Sequence, residues 1–507
     1  MEPTLDQELI PGDESYASII DLPSNEVEKI LERRRLSFRM WVYLFAWESK
    51  ILWTLSGSTI PVFLCNFMLS FVSILVAGHL GATELAGASV ATIGIQGLTY
   101  GILLGMSCAV LTTCGQAYGA KQYAALGIIC QRALILELAA AVLLTFLYIW
   151  SGDFLRAIGQ SKPIAEQGQI FSHGLILQLY ALAICFPLQR FLQAQNIVNP
   201  IAYLSVAVFL IHILLSWLVV YVLEFGLLGV SIVLGISWWL LVISLALYIL
   251  LSPNCKETWT GFSLNAFRNM LPFFKFAAAS GAMLCLELWY NQGIILLSGL
   301  LPNPTVSLDS MSIGMNYWNW DLTFLLGLSI SVSIRVGNEL GAGNPKVTKF
   351  AVIVVNVTSI IISIIFTVIV LSCRVGLSKL FTSDPEVIAA VLKLIPLLAV
   401  SVLLNGIQPI LSGVAVGSGW QDTVAYVNIV AYYGIGLPIG CALGFKTKLG
   451  VSGIWIGLII GVFCQTAVIL FIAARTNWEA EVEKAAERLK VSGKEAMELV
   501  GNIEGGH

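Results

Sequence analysis

Three carboxyl groups of this chain stand inside long apolar runs, where charge is expensive: Glu137, Glu287 and Asp321. An ionised side chain at the centre of a bilayer costs about 2.5–3.5 kcal/mol on insertion scales, so each of the three calls for a reason. Glu287 lies between Cys285 and Trp289, with Asn291 one turn further along the same helical face. Apolar surroundings disfavour a charged carboxyl. Proton binding and release is therefore the chemistry expected at Glu287, against the alternative of a structural hydrogen bond. Asp321 shares a face with Tyr317 and Trp318 and suits a second proton site, a cation contact or a bond to a neighbouring helix. Glu137 follows Arg132 by about a turn and a half, and compensation by that arginine gives it a structural reading.

Other chemistries lack their residues. The one Gly-Lys pair, Gly493-Lys494, is followed by Glu495, so there is no GxxxxGK[ST] phosphate loop, and HExxH and GxSxG are missing too. The histidines, His79, His173, His212 and His507, are scattered, and the cysteines lie mostly singly in apolar stretches without CxxC spacing. No metal, no cofactor and no enzymatic activity are expected.

The elements that position the acids follow from composition. Of 507 residues, 57% are hydrophobic and 11% charged, whereas soluble domains carry about 25% charged residues. At about 20 apolar residues per crossing, long runs broken by Gly, Pro, Asn or charge predict twelve transmembrane helices, the first near 51–77 and the last near 450–474. The runs are apolar all round, which excludes the alternation of barrel strands. The first fifty residues are acid-rich to Asn25 and then basic at Arg33 to Arg35, so insertion is expected to rely on the first span rather than a cleaved leader. Lys and Arg gather in the tails and in the loops after even-numbered spans, as at Lys121, Arg190, Lys256, Arg268 and Lys346, which predicts both termini in the cytoplasm. The net charge of −3 excludes a nucleic-acid partner.

A shift of 222 residues lays Leu104-Gly105-Met106-Ser107 over Leu326-Gly327-Leu328-Ser329, and Gly115, Gly119 and Ala120 over Gly337, Gly341 and Ala342. Such self-similarity indicates a duplication. The chain is thus expected to be an all-α polytopic membrane protein, twelve transmembrane helices in two pseudo-symmetric six-helix bundles over 51–251 and 270–474. A linker at 252–269 joins them, and cytoplasmic tails occupy 1–50 and 475–507. Parallel repeats place a substrate cavity between the halves, and rocking gives alternating access. A channel, the competing class, would arrange polar residues in rings about a symmetric pore.

These residues resemble a family, the multidrug and toxic compound extrusion (MATE) transporters, and within it the plant DETOXIFICATION proteins. The resemblance rests on Cys114-Gly115-Gln116-Ala117-Tyr118-Gly119-Ala120, Arg190-Phe191-Leu192-Gln193-Ala194-Gln195, Leu286-Glu287-Leu288-Trp289-Tyr290-Asn291-Gln292 and Asn338-Glu339-Leu340-Gly341-Ala342-Gly343-Asn344-Pro345, and covers nearly the whole chain. Asn405-Gly406-Ile407-Gln408-Pro409 looks most like the branch of vacuolar flavonoid/proton antiporters. The resemblance implies proton-driven export of flavonoid glycosides or related phenolics into the vacuole by a monomer in the lipid bilayer, with Glu287 as the proton site. Efflux of organic cations, alkaloids or hormones at the plasma membrane is the alternative. Two positions depart from other branches: Asn405 stands where many members have aspartate, and Ser73 where bacterial and archaeal members do. An amide cannot titrate, so Glu287 is expected to act alone or with Asp321. Trp289, Tyr290, Asn291, Gln292, Tyr317, Trp318, Asn319, Asn405 and Gln408 are expected to contact substrate by stacking and a few hydrogen bonds, unless the aromatics pack between helices instead. Pro61 in the first span is either a gating bend or a tolerated kink.

Overall fold

The computed structural model describes residues 22–33, 36–301, 304–374, 376 and 385–490. Among them twelve helices are long and apolar enough to cross a membrane: α1 Phe38–Leu80, α2 Ala82–Gly119, α3 Tyr123–Ile149, α4 Lys162–Ala194, α5 Asn199–Val222, α6 Gly226–Leu251, α7 Met270–Ile295, α8 Ser310–Ala342, α9 Pro345–Ser372, α10 Pro385–Ser418, α11 Gln421–Lys446 and α12 Val451–Arg475. A helix bonds its own backbone, which hydrocarbon requires. The outward side chains are large and apolar, as at Leu210, Leu214, Ile365 and Phe471. Helices α1–α6 pack mainly among themselves, as do α7–α12.

Two helices differ from their expected spans for local reasons. Helix α1 begins well before Ile51, capped by Ser37, whose hydroxyl accepts from the Met40 amide at 3.2 Å. The apolar run stops at charge, but the helix continues through Glu48 and Lys50. Helix α10 is interrupted at Gly406-Ile407, between segments ending at Asn405 and starting at Gln408, and Pro409 has no N–H with which to continue the ladder.

The duplication appears as matching contacts between the bundles. A methyl group added at Gly105 of α2 would meet the Cα of Gly281 in α7 at 2.6 Å, and one at Gly327 of α8 would meet the Cα of Ile60 in α1 at 2.7 Å. Each half supplies the glycine once. Nearer the face that carries the two ends of the helical array, the terminal face, Gly119 lies against the Asn338 carbonyl and Gly341 against the Gln116 carbonyl. Hydrogen bonds follow the same seam: Thr59 Oγ1 donates to the Gly327 carbonyl at 2.9 Å, and Gln116 Nε2 to the Gly417 carbonyl at 3.1 Å. The linker stays with the first bundle, where the Gln131 side chain bonds Gly261 O and Ser263 N, both at 2.8 Å.

A buried ion network joins α1 to α8 at the terminal face. Arg335 donates to both oxygens of Glu48, at 2.9 and 3.0 Å, and pairs with Glu339, while its guanidinium lies 5.1 Å from the centre of the Trp47 ring. Ser24 Oγ donates to Glu339 at 2.7 Å, and Glu28 accepts from the backbone amides of Lys346 and Val347 at 2.9 and 2.7 Å. The short helix Ser24–Leu31 is thereby fixed to the N-terminus of α9, where a carboxylate suits the helix dipole. Further along, Arg488 donates to Gln116 Oε1 at 3.3 Å and to the Ser418 carbonyl at 2.9 Å, tying the segment after α12 to both bundles.

Removing Arg335 alone would leave Glu48 and Glu339 buried without their cation. Arg335→Met should therefore destabilise the protein by about 3–5 kcal/mol, read as a fall in the melting temperature of purified protein. The double variant Arg335→Met with Glu48→Leu should recover part of that loss; no recovery would show that the pair is not the source of the effect.

Candidate transport site

The acids of the second bundle sit on two helices and find their partners on a third. Glu287 of α7 accepts a hydrogen bond at Oε1 from Gln408 Nε2 at 3.0 Å, and Gln408 also reaches Ser412 Oγ at 3.3 Å. Asp321 of α8 is 2% exposed and accepts at Oδ2 from Asn405 Nδ2 at 2.9 Å. Asn405 and Gln408 flank the interruption of α10, so one break in one helix presents both amides. The second oxygen of each acid, Glu287 Oε2 and Asp321 Oδ1, is buried and has no hydrogen-bond partner.

This arrangement has a chemical use. A carboxylate only accepts, whereas a neutral carboxyl donates through its O–H. A primary amide serves both states, donating through N–H to the anion or, turned over, accepting at its carbonyl from the acid. Asn405 and Gln408 can thus hold Asp321 and Glu287 before and after a proton is taken up.

The other expected residues divide. Trp289 and Gln292, with Leu288, line a cavity of about 380 Å³ between the bundles; its opposite wall is Ser70 of α1, residues 92–94, 96–98 and 100 of α2, and Phe154. Residues 92–96 form a π-helical turn, a departure common at functional sites. Tyr290 points away: it is stacked on Tyr432 with ring centres 4.6 Å apart, and its hydroxyl donates to the Gly457 carbonyl at 3.1 Å. Tyr317 and Trp318 belong to the same buried cluster of the second bundle, Asn291 is buried, and Asn319 is half-buried. The difference from a single wall is geometric, since consecutive residues are turned by about 100° on a helix and 289–292 cannot share a face. Pro61 lies within the continuous helix α1, next to the Ile60 contact with Gly327.

Several polar residues went unmarked in the sequence. Gln96 on the cavity wall donates to Gln178 of α4 at 2.8 Å. His212 bridges Ser73 and Ser237 at 3.3 and 2.8 Å. The Glu48–Arg335–Glu339 network was hidden because those charges fall at or beyond the edges of the apolar runs. The compensation of Glu137 by Arg132 is not seen: Arg132 donates to the Asn265 carbonyl at 3.4 Å, and neither oxygen of Glu137 is hydrogen-bonded. A larger cavity of about 1190 Å³ opens at the terminal face, lined by Lys50, Tyr118, Asn196 and Asn338 among others, and includes neither Glu287 nor Asp321. Among the described residues no group of three or more His, Cys, Asp or Glu could hold a metal ion.

The MatE family profile matches residues 59–218 and 279–441, one segment in each bundle. The chain is similar to Protein DETOXIFICATION 41 of Arabidopsis thaliana, 62% identical over 487 residues that cover 96% of each protein. Protein DETOXIFICATION 37 of the same plant is 44% identical over 477 residues, covering 94% of this chain and 95% of the relative. The crystal structure of the eukaryotic MATE transporter AtDTX14 superposes with a TM-score of 0.85 at 37% identity, over 88% of this chain and 99% of that one. A twelve-helix array, a family profile matched in both bundles and relatives aligned over nearly their full length place the chain in the MatE family, as a plant multidrug and toxic compound extrusion transporter and not an enzyme.

Proposed function

We propose that this transporter exchanges protons for a small organic solute, with Glu287 as the principal proton site and Asp321 as a second. The observation that carries the reading is the pair of half-bonded carboxyls, each with one oxygen held by an α10 amide and the other buried and open to a proton. Proton uptake removes the charge while the amides keep the geometry, so the bundle changes its electrostatics at little structural cost. The cavity wall carries Trp289, Tyr100, Gln96 and Gln292 and suits a planar, partly polar solute by stacking and a few hydrogen bonds. Flavonoid glycosides or related phenolics are the proposed substrates, moved from the cytosol into the vacuole by a monomer with both termini cytoplasmic. The close glycine contacts toward the terminal face favour a carrier closed on that side over a continuous pore.

Glu287→Gln should abolish uptake driven by a pH gradient in proteoliposomes while leaving the melting temperature near that of the wild type, because the amide keeps shape and bonding but holds no exchangeable acid proton. Asp321→Asn should impair uptake without abolishing it. Wild-type uptake by the Glu287 variant removes that residue from coupling, and uptake indifferent to the gradient rejects the antiport reading altogether. In a competition between a flavonoid glucoside, a quaternary ammonium and citrate, the glucoside should be preferred. Preference for the ammonium would favour efflux of organic cations, and preference for citrate would contradict the weakly charged cavity, since anions call for paired basic groups.

A further inference from the structure

The first bundle holds a buried acid that the site above does not use. Glu137 of α3 is 0% exposed, and no hydrogen bond reaches either carboxyl oxygen. A buried acid kept for architecture normally has both oxygens bonded, as Glu48 has to Arg335 in the same molecule. Within electrostatic reach of Glu137, though not in direct ion-pair contact with it, is Arg190 of α4, itself 4% exposed; its Nη1 donates to Gln193 Oε1 at 2.7 Å and its Nε is buried without a hydrogen bond. Around this pair the titratable groups are the thiols of Cys108 on α2, Cys130 on α3 and Cys185 on α4, together with Tyr100 of α2. Tyr100 connects the cluster to the cavity. It lies within electrostatic reach of Arg190, packs edge-on against Phe186 at 5.0 Å and also lines the space between the bundles.

We infer that Glu137 and Arg190 form a second proton-binding centre, located in the first bundle and reached from the between-bundle cavity past Tyr100. The inference rests on the proton-coupled reading above. In the step itself a proton from the cavity adds to a carboxylate oxygen of Glu137; one O–H bond forms, and Arg190 keeps its own protons. The charge of the pair changes from zero to +1. Ionised Glu137 offsets the buried guanidinium, and neutral Glu137 leaves it uncompensated in a low-dielectric bundle. The first bundle then changes charge beside one wall of the cavity, while Glu287 and Asp321 change charge in the second.

The test uses full-length protein in liposomes. Infrared difference spectra between acidic and alkaline buffer record the protonated-carboxyl band, and proton-driven uptake is followed across the same pH range. Glu137→Gln should lose one titrating carboxyl component and flatten the pH profile of uptake, with the component assigned to Glu287 retained. Arg190→Lys, which keeps the charge but alters its placement, should move the Glu137 component. A Glu137→Gln spectrum and pH profile that superimpose on the wild type overturn the inference. If Glu137→Gln fails to fold, an unmoved carboxyl band in Arg190→Lys overturns it instead. Loss of coupling in Glu287→Gln beside wild-type behaviour in Glu137→Gln would remove this centre alone, whereas uptake indifferent to pH in the wild type would remove the antiport reading itself.

Discussion

Hydrocarbon leaves a buried charge or polar group no water to turn to, and the arrangement of this transporter follows from where each such group finds its partner. The backbone is satisfied within twelve helices. Serines and threonines largely bond carbonyls one turn back on their own helix, as Thr145, Ser244 and Thr358 do. What remains is a set of side chains that must be answered from another helix, and charged groups among them gather at two places. At the terminal face Glu48, Arg335 and Glu339 answer one another between bundles. In the second bundle Glu287 and Asp321 are each answered at one oxygen only.

The contrast between these two places separates a fixed charge pair from the carboxyls of the proposed proton coupling. Glu48 has both oxygens on one guanidinium, a geometry that holds a charge and binds two bundles together. Glu287 has one oxygen on an amide, a geometry that accepts either protonation state. Helix α10 makes the second geometry possible because it is interrupted at Gly406-Ile407, which sets Asn405 and Gln408 on either side of a break and turns them toward different helices. The asparagine at position 405 thus has a place in the site although it cannot titrate.

The two bundles approach each other closely at glycines. Gly105 of α2 against α7 and Gly327 of α8 against α1 are the same contact made once in each half, and Gly119 and Gly341 repeat the pattern near the terminal face. Close backbone approach of this kind leaves no room for a Cβ, which is why the glycines recur at one offset in the sequence.

Much of this was legible without coordinates. Apolar runs of sufficient length determined the number of spans, the offset of 222 residues determined the duplication, and isolated carboxyls in those runs singled out Glu287, Asp321 and Glu137. Each of these signals is local or self-referential, carried by hydropathy or by the chain compared with itself. Partnership between distant residues is not. Nothing near Arg132 in sequence says that it turns to Asn265 and leaves both oxygens of Glu137 without a hydrogen bond, nor that Tyr290 turns into its bundle while Trp289 beside it faces the cavity. Those outcomes depend on the rotation of each helix about its own axis, which is decided by packing against helices far away in the chain. The sequence by itself determined which elements exist and which residues carry charge inside them; only the tertiary structure decided which charges meet, because a helix satisfies its backbone alone but its side chains only through its neighbours.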